Sequence, residues 1–345
     1  MFNLVLGGCV AFALVIIGLL VLIEIGSSGV ESTPATMRDL SPAVTLSPSE
    51  LDERLETYIA RGRDTSLSDY SRAHAWLIVS DAEQARGNRS AAADALESLF
   101  VVGVPSDMEE NRIRVVQLSE LVAADRTDEY IAKATTLLNV GSIDPADELM
   151  VRWGMIKSHT QRGDLDAAGE AAAEAVAMIK PGDELAAQIY NEQAYIAVHT
   201  DDYDLGRQAT DNALAAAASD SEFAAVAQLL RGEIEAHDGN TAGATGYFKA
   251  AADNPNANPA TRERSLFMHG AILYDVGQFD AARADFDAVK AMPGVSAETI
   301  AKVDLLIKQL EMLESSDDET AADDTATDST LVDETAAADA SSESI

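Results

Sequence analysis

The stretch SLFMHGAILYDVGQFDAARADFDAV, residues 265–289, contains the pattern that decides the fold. Apolar residues fall at helical spacing on both sides of Gly277, and glycine suits the left-handed backbone conformation that ends a helix. A stretch of this kind predicts two antiparallel helices of about fourteen residues each, joined by a tight turn at the glycine.

The turn position of this stretch recurs every 38 residues along the chain. The six residues that mark it are Gly87, Asp125, Gly163, Asp201, Gly239 and Gly277. Aspartate tolerates the left-handed conformation better than most residues, so it can replace glycine at two of the six markers. A fixed period in this range indicates stacked helix pairs, each too small to bury its own apolar face. The sequence therefore predicts an all-α, right-handed solenoid of about six hairpins with capping helices.

Small residues stand seven positions before and five positions after most markers, where the two helices of a hairpin must approach closely. In the fifth hairpin these residues are Gly232 and Ala244, and Phe248 follows nine positions after the marker. The second hairpin departs from this pattern, because Leu118 and Tyr130 are both large. We therefore expect its two helices to lie further apart than those of the other hairpins.

This pattern of sizes resembles that of the tetratricopeptide repeat (TPR) family, which has small residues and an aromatic residue at the corresponding positions. The resemblance extends over residues 69–292. The family repeat is usually ~34 residues long, so each unit here carries four additional residues. The resemblance implies a solenoid with a concave groove that binds a segment of another protein. Repeats of the HEAT and armadillo type, at ~40–47 residues, are the structural alternative.

Composition divides the chain into four parts. Residues 4–23 are apolar and uncharged, so residues 1–25 are predicted to be a single transmembrane anchor, with a cleaved leader as the alternative. Residues 26–48 are rich in Ser, Thr, Pro and Gly, which is typical of a flexible linker. Residues 49–314 hold the repeats, and residues 315–345, with ten acids and no Lys or Arg, are predicted to be a disordered tail. The sparse charges around the apolar segment favour a single-pass membrane protein with a cytoplasmic amino terminus and an exported repeat domain.

The formal net charge of −35 restricts the possible partners. Of this charge, −23 belongs to residues 49–314, so the excess is not confined to the tail. Such a surface repels nucleic acid and anionic lipid headgroups, and it favours basic partners or simple solubility.

The sequence contains no motif of a known catalytic or metal centre. Its five histidines form no His-Glu-x-x-His arrangement, and it has neither a Gly-rich phosphate loop nor a Gly-x-Ser-x-Gly elbow. We therefore predict no catalytic residue, no metal and no cofactor, and we expect the protein not to be an enzyme.

The TPR resemblance places a set of aromatic, amide and charged side chains in the concave groove. These candidate site residues are Trp153, Lys157, Asn191, Tyr195, His199, Glu233, His237 and Tyr274. His199 and His237 occupy the same position in consecutive units, so stacking would place them about ~10 Å apart. A groove of this composition can hold an extended or helical peptide. The alternative for each histidine is an ordinary helix-end residue that interacts with the helix dipole.

These observations lead to two function hypotheses. The first is a membrane-tethered scaffold that binds a partner protein in its groove, with a role in protein export or envelope assembly indicated by layout alone. The alternative is an envelope binder of small ligands or cations that uses the acidic, histidine-containing groove. Some TPR domains bind acidic carboxyl termini through Lys, Asn and Arg. Only Lys157 and Asn191 suit that role here, so this ligand class is disfavoured.

Overall fold

The computed structural model describes residues 48–106, 109–141 and 143–327 of the 345-residue chain. These residues form fourteen α-helices and no strand. In chain order the helices are α1 (Pro48–Arg63), α2 (Asp69–Ala85), α3 (Arg89–Val102), α4 (Glu110–Ala123), α5 (Thr127–Val140), α6 (Pro145–Gln161), α7 (Leu165–Met178), α8 (Ala186–His199), α9 (Tyr203–Ala216), α10 (Glu222–His237), α11 (Thr241–Asp253), α12 (Pro259–Asp275), α13 (Phe279–Ala291) and α14 (Ala297–Thr327).

Helices α2 to α13 form six hairpins that stack in sequence, with α1 against the first hairpin and α14 against the last. The first helices of consecutive hairpins also contact one another from α4 to α12, whereas contacts between the second helices are weaker. Because the first helices lie closer together, the stack bends towards them. They therefore line its concave face, and the second helices line the outer face.

The hairpin turns lie where the 38-residue period predicts them. All six markers have a left-handed backbone, with φ between 59° and 77°. Asp125 and Asp201 are the only non-glycine residues with positive φ in the described part of the chain. Aspartate accepts this conformation at lower cost than most side chains, which explains how it replaces glycine there.

Small residues allow the two helices of a hairpin to touch. Gly232 of α10 lies against the ring of Phe248 on α11, and Gly270 of α12 lies against the ring of Phe286 on α13. Both rings are fully buried, so the aromatic residues occupy the space that a larger side chain would take. This packing explains why the small and aromatic positions repeat together.

The second hairpin is looser, as its large residues predict. Helices α4 and α5 contact each other less closely than the helices of the other hairpins. Tyr130 of α5 instead packs towards the third hairpin, where its hydroxyl donates a hydrogen bond to the Val151 carbonyl at 2.7 Å. Gly154 of α6 leaves the space that the phenol ring fills. Tyr130 therefore joins two hairpins and does not close its own.

Helix α14 is longer than the sequence indicates. It continues to Thr327 and so includes the first part of the acidic segment that was predicted to be disordered. Alanine and glutamate have high helix propensity, and a helix can continue on this basis without a packed face. The rest of that segment lies outside the described residues.

The predicted membrane localisation has to be corrected. Within residues 48–106, 109–141 and 143–327, no helix is long and apolar enough to cross a bilayer. The described helices carry charged residues along one face because they pack in a water-exposed stack. The predicted anchor over residues 1–25 and nearly all of the predicted linker lie outside the described residues. We therefore withdraw the single-pass localisation and its orientation.

Candidate functional site

The concave face carries its most varied chemistry on α6, α8, α10 and α12. We call this part of the face the central groove. It is defined by Trp153, Lys157, Asn191, Glu192, Tyr195, His199, Glu233 and Arg264. Each of these residues lies on the first helix of its hairpin, and the 38-residue stacking brings them side by side.

Trp153 and Lys157 form one end of the central groove. They are one helical turn apart on α6, and the Lys157 Nζ lies 5.1 Å from the centroid of the Trp153 ring. At this distance the ring face attracts the ammonium group. The indole Nε1 of Trp153 is buried and has no hydrogen-bond partner among the described residues.

Tyr195 and His199 form the middle of the central groove on α8. Their rings are tilted by 31° with centroids 4.0 Å apart, and the His199 Nδ1 lies 2.8 Å from the Tyr195 carbonyl oxygen. A carbonyl oxygen can only accept, so Nδ1 carries the proton and Nε2 of the neutral ring is left as an acceptor. The ring is exposed, which leaves Nε2 open to a binding partner.

Two carboxylates, Glu192 and Glu233, lie on neighbouring helices of the central groove. Glu233 of α10 is only 9% exposed, and its Oε1 lies 2.7 Å from the Arg264 Nε on α12. Burial raises the pKa of Glu233, while Arg264 and His199 oppose this effect. Burial likewise raises the pKa of Glu192 on α8, and Lys157 opposes it. The carboxylates therefore link the two ends of the groove electrostatically.

Asn191 connects two helices of the central groove. Its side chain is nearly buried, and its Nδ2 donates to the Phe223 carbonyl at the start of α10, at 2.9 Å. This bond fixes the orientation of the amide. The opposite end, Oδ1, is buried without a partner among the described residues.

Two of the eight predicted site residues lie apart from the others. His237 stacks on Tyr203 of the preceding hairpin, with centroids 3.6 Å apart and rings inclined by 15°, and therefore lies at the turn edge of the stack. Tyr274 packs against Phe279 with centroids 5.9 Å apart, within the apolar cluster of the last hairpin. The ladder of His199 and His237 that the period predicts is therefore not a single surface.

Two members of the central groove, Glu192 and Arg264, were not among the predicted site residues. Glu192 lies nine positions before its marker, where the next two hairpins have Leu230 and Met268. A carboxylate in a register position that is otherwise apolar was the available signal. Arg264 lies thirteen positions before its marker and is identified only through its ion pair with Glu233.

The central groove is an open surface. Two cavities, of about 450 and 340 Å³, lie elsewhere: one at the starts of α4 and α6, the other beside the loop after α3. Small-molecule sites are usually enclosed, whereas an extended surface suits a polypeptide. In the described part of the chain, no group of three or more His, Cys, Asp or Glu side chains is arranged to hold a metal ion.

Comparisons with known proteins give a likeness in structure only. No family model matches the sequence, and no curated protein matches it. The APC/C hetero-tetramer Cut9–Hcn1 aligns with 79% of this chain at a TM-score of 0.50 and 12% identity. This chain spans about half of that aligned chain, 52% of its length.

Two further solved structures are similar at lower TM-scores. A tetratricopeptide repeat protein from Parabacteroides merdae matches 69% of this chain and 98% of its own, with 12% identity and a TM-score of 0.45. The complex of the TPR2AB domain with pHSP90 from yeast Sti1 matches 75% and 99%, with 11% identity and a TM-score of 0.30. At such identities a likeness concerns the fold alone. Together with the six stacked hairpins and their small-residue contacts, the Cut9–Hcn1 match identifies the fold of this chain as TPR-like.

Proposed function

We propose that this protein is an interaction scaffold whose central groove binds a segment of another protein. The observation that carries the proposal is the convergence of aromatic and charged side chains on successive first helices. Trp153 with Lys157, Tyr195 with His199, and Glu233 with Arg264 form three neighbouring pairs on one concave face. Tryptophan, tyrosine and arginine are the residues that most often dominate binding at protein interfaces.

The groove offers what an extended or helical segment requires. Ring faces provide apolar contact at low entropic cost, and the charged pairs fix the register of a bound chain. The first helices are held rigidly by their hairpins, so the side chains are positioned before a partner arrives. Similarity of fold to Cut9, which assembles with Hcn1 in the matched structure, supports the same class of function.

The other expectations from the sequence receive no support. The role in export or envelope assembly depended on the predicted anchor and is not part of this proposal. Binding of cations would require converging ligands, and within the described residues no such group exists.

Site-specific photo-crosslinking tests the proposal. A photoreactive amino acid at the exposed position His199 should capture a defined protein in cells. The same residue at Glu170, exposed on the second helix α7, is the matched control. We expect the adduct to be lost from the Glu170 probe and also when Tyr195→Ala accompanies the His199 probe. Equal adducts from both positions would mean that the concave face is not the binding surface.

A further inference from the structure

The central groove is rich in hydrogen-bond acceptors and has its own cations only at the two ends. Glu192, Glu233 and the Asn191 Oδ1 lie on the two middle helices, α8 and α10. The cations are Lys157 on α6, held over the Trp153 ring, and Arg264 on α12, paired with Glu233. The middle of the groove therefore lacks donors of its own.

The two carboxylates are only partly compensated. Glu192 forms no hydrogen bond or ion pair with any described residue, and Lys157 acts on it only through the longer-range electrostatic interaction. Glu233 is 91% buried and has Arg264 as its one ion-pair partner, an arginine that is itself half exposed. A buried carboxylate is costly unless it is paired and hydrogen-bonded. Both groups would gain from an additional cation.

Asn191 provides an independent observation of the same kind. It is 6% exposed, and its amide cannot rotate without losing the bond from Nδ2 to the Phe223 carbonyl. Its Oδ1 is consequently a fixed acceptor with no donor among the described residues. Buried polar groups in folded proteins are almost always hydrogen-bonded, so an unpaired acceptor next to Glu192 indicates a missing donor.

We infer that the protein segment bound in the central groove carries a lysine or arginine side chain whose charged head donates hydrogen bonds to Glu192 and Glu233. This inference rests on the proposed function, because it specifies the chemistry of the segment. A backbone N–H of the same segment can supply the donor for Asn191. The excess of acids on the repeat body attracts a basic segment over long distances and repels an acidic one.

The opposite reading assigns the groove to an acidic segment held by Lys157 and Arg264. Both cations already have a partner within the groove, and an incoming carboxylate would approach two others. Like charges across an interface are unfavourable. A basic segment requires no existing contact to break.

A peptide-binding measurement on the full chain tests the inference. The probes are fluorescent peptide libraries of about 12 residues with randomised flanks and one fixed central residue: lysine, arginine, norleucine or glutamate. We expect the lysine and arginine libraries to bind at least about tenfold more tightly than the glutamate library. Glu192→Gln and Glu233→Gln, which keep the side-chain shape, should each remove most of this preference. Glu170→Gln, outside the groove, should leave it unchanged.

The outcomes separate the inference from the proposed function. Preference for the glutamate library, or unchanged selectivity in both glutamine variants, overturns the inference. The proposed function stands in those cases if Tyr195→Ala still abolishes binding. Absence of binding by every library, together with no specific crosslink from His199, overturns the proposed function itself. Circular dichroism and melting of each variant establish that a lost preference does not come from unfolding.

Discussion

At the scale of single residues, Gly232 shows how a missing side chain sets the spacing of a hairpin. A Cβ at this position would lie 2.7 Å from two ring carbons of Phe248, which is fully buried. We expect Gly232→Ala to destabilise the protein by ~1–3 kcal/mol, because overpacking forces the two helices apart. Equilibrium denaturation of the full chain measures this change.

Gly246 is the matched control for this prediction. It lies inside α11, and no atom outside the immediate helix backbone is within 4 Å of a Cβ built there. Gly246→Ala should therefore stabilise the protein by roughly 0.5–1 kcal/mol through helix propensity alone. Equal effects of the two substitutions would show that the hairpin contact at Gly232 is not tight.

Glu192 links stability to pH at the same scale. Burial raises the pKa of Glu192 in the folded protein, so between the unfolded and folded values the folded state binds the proton more tightly. The stability that protonation provides is therefore lost as pH rises through the folded value. Glu192→Gln removes this loss. We expect the variant to melt higher than the parent near pH 7, and the gain to shrink towards pH ~4, the ordinary carboxyl range.

Differential scanning calorimetry between pH 4 and neutrality measures the two melting temperatures. Glu170→Gln changes an exposed carboxylate on α7 and should give a difference that does not vary with pH. A pH-independent gain in Glu192→Gln would show that the carboxylate is well solvated in the groove.

At the scale of helices, the same register position is filled differently along the stack. Ile196 and Ile234 are buried five positions before their markers, whereas the second hairpin has Glu120 there, 2% exposed. Arg89 donates to this carboxylate at 3.0 Å and Gln84 at 2.7 Å, so a buried polar contact joins the first two hairpins. Removal of one partner from a buried ion pair leaves an uncompensated charge.

We expect Arg89→Ala to destabilise the interface between the first two hairpins by on the order of 3 kcal/mol. The comparison is Lys249→Ala, which removes an exposed pair with Asp253 on one helix and should cost less than about 0.5 kcal/mol. Stacked repeats can open locally, so hydrogen exchange is the suitable measurement. Faster exchange in α2 to α5, with α10 to α13 unchanged, is the expected pattern. A uniform change along the chain would contradict a local interface.

The hairpins were predictable from sequence because their determinants are local and repeat. Gly87 and Asp125 mark turns by conformation, and Gly232 with Phe248 marks a contact by size. The side chains of the groove were less predictable, since a register position fixes the helix face but not the rotamer. His199 turns back to Tyr195 on its own helix, while His237 turns to Tyr203 of the preceding hairpin, although both occupy the same position. The pairing available to each ring decides between these directions.

At the scale of the whole molecule, the cations are used mainly to connect acids. Arg126 pairs with Asp94, Lys133 with Glu97, and Lys290 with Asp304, each between different helices. The chain has only 24 Lys and Arg against 59 Asp and Glu, so most carboxylates face other carboxylates across solvent. Two opposing electrostatic effects therefore act on the fold: attraction within exposed pairs and general repulsion among the excess acids.

The dependence of stability on salt distinguishes which of the two effects prevails. Exposed ion pairs contribute only ~0–1 kcal/mol each, and salt weakens them. Salt also shortens the range of the repulsion, from about 30 Å at 0.01 M to about 3 Å at 1 M. Because the net charge is −35, we expect repulsion to prevail and the melting temperature to rise by several degrees over this range. Thermal melts of the full chain in sodium chloride and in choline chloride should agree if the cause is screening. A rise in sodium chloride alone would indicate specific cation binding, and a fall in both salts would show that the ion pairs between hairpins outweigh the repulsion.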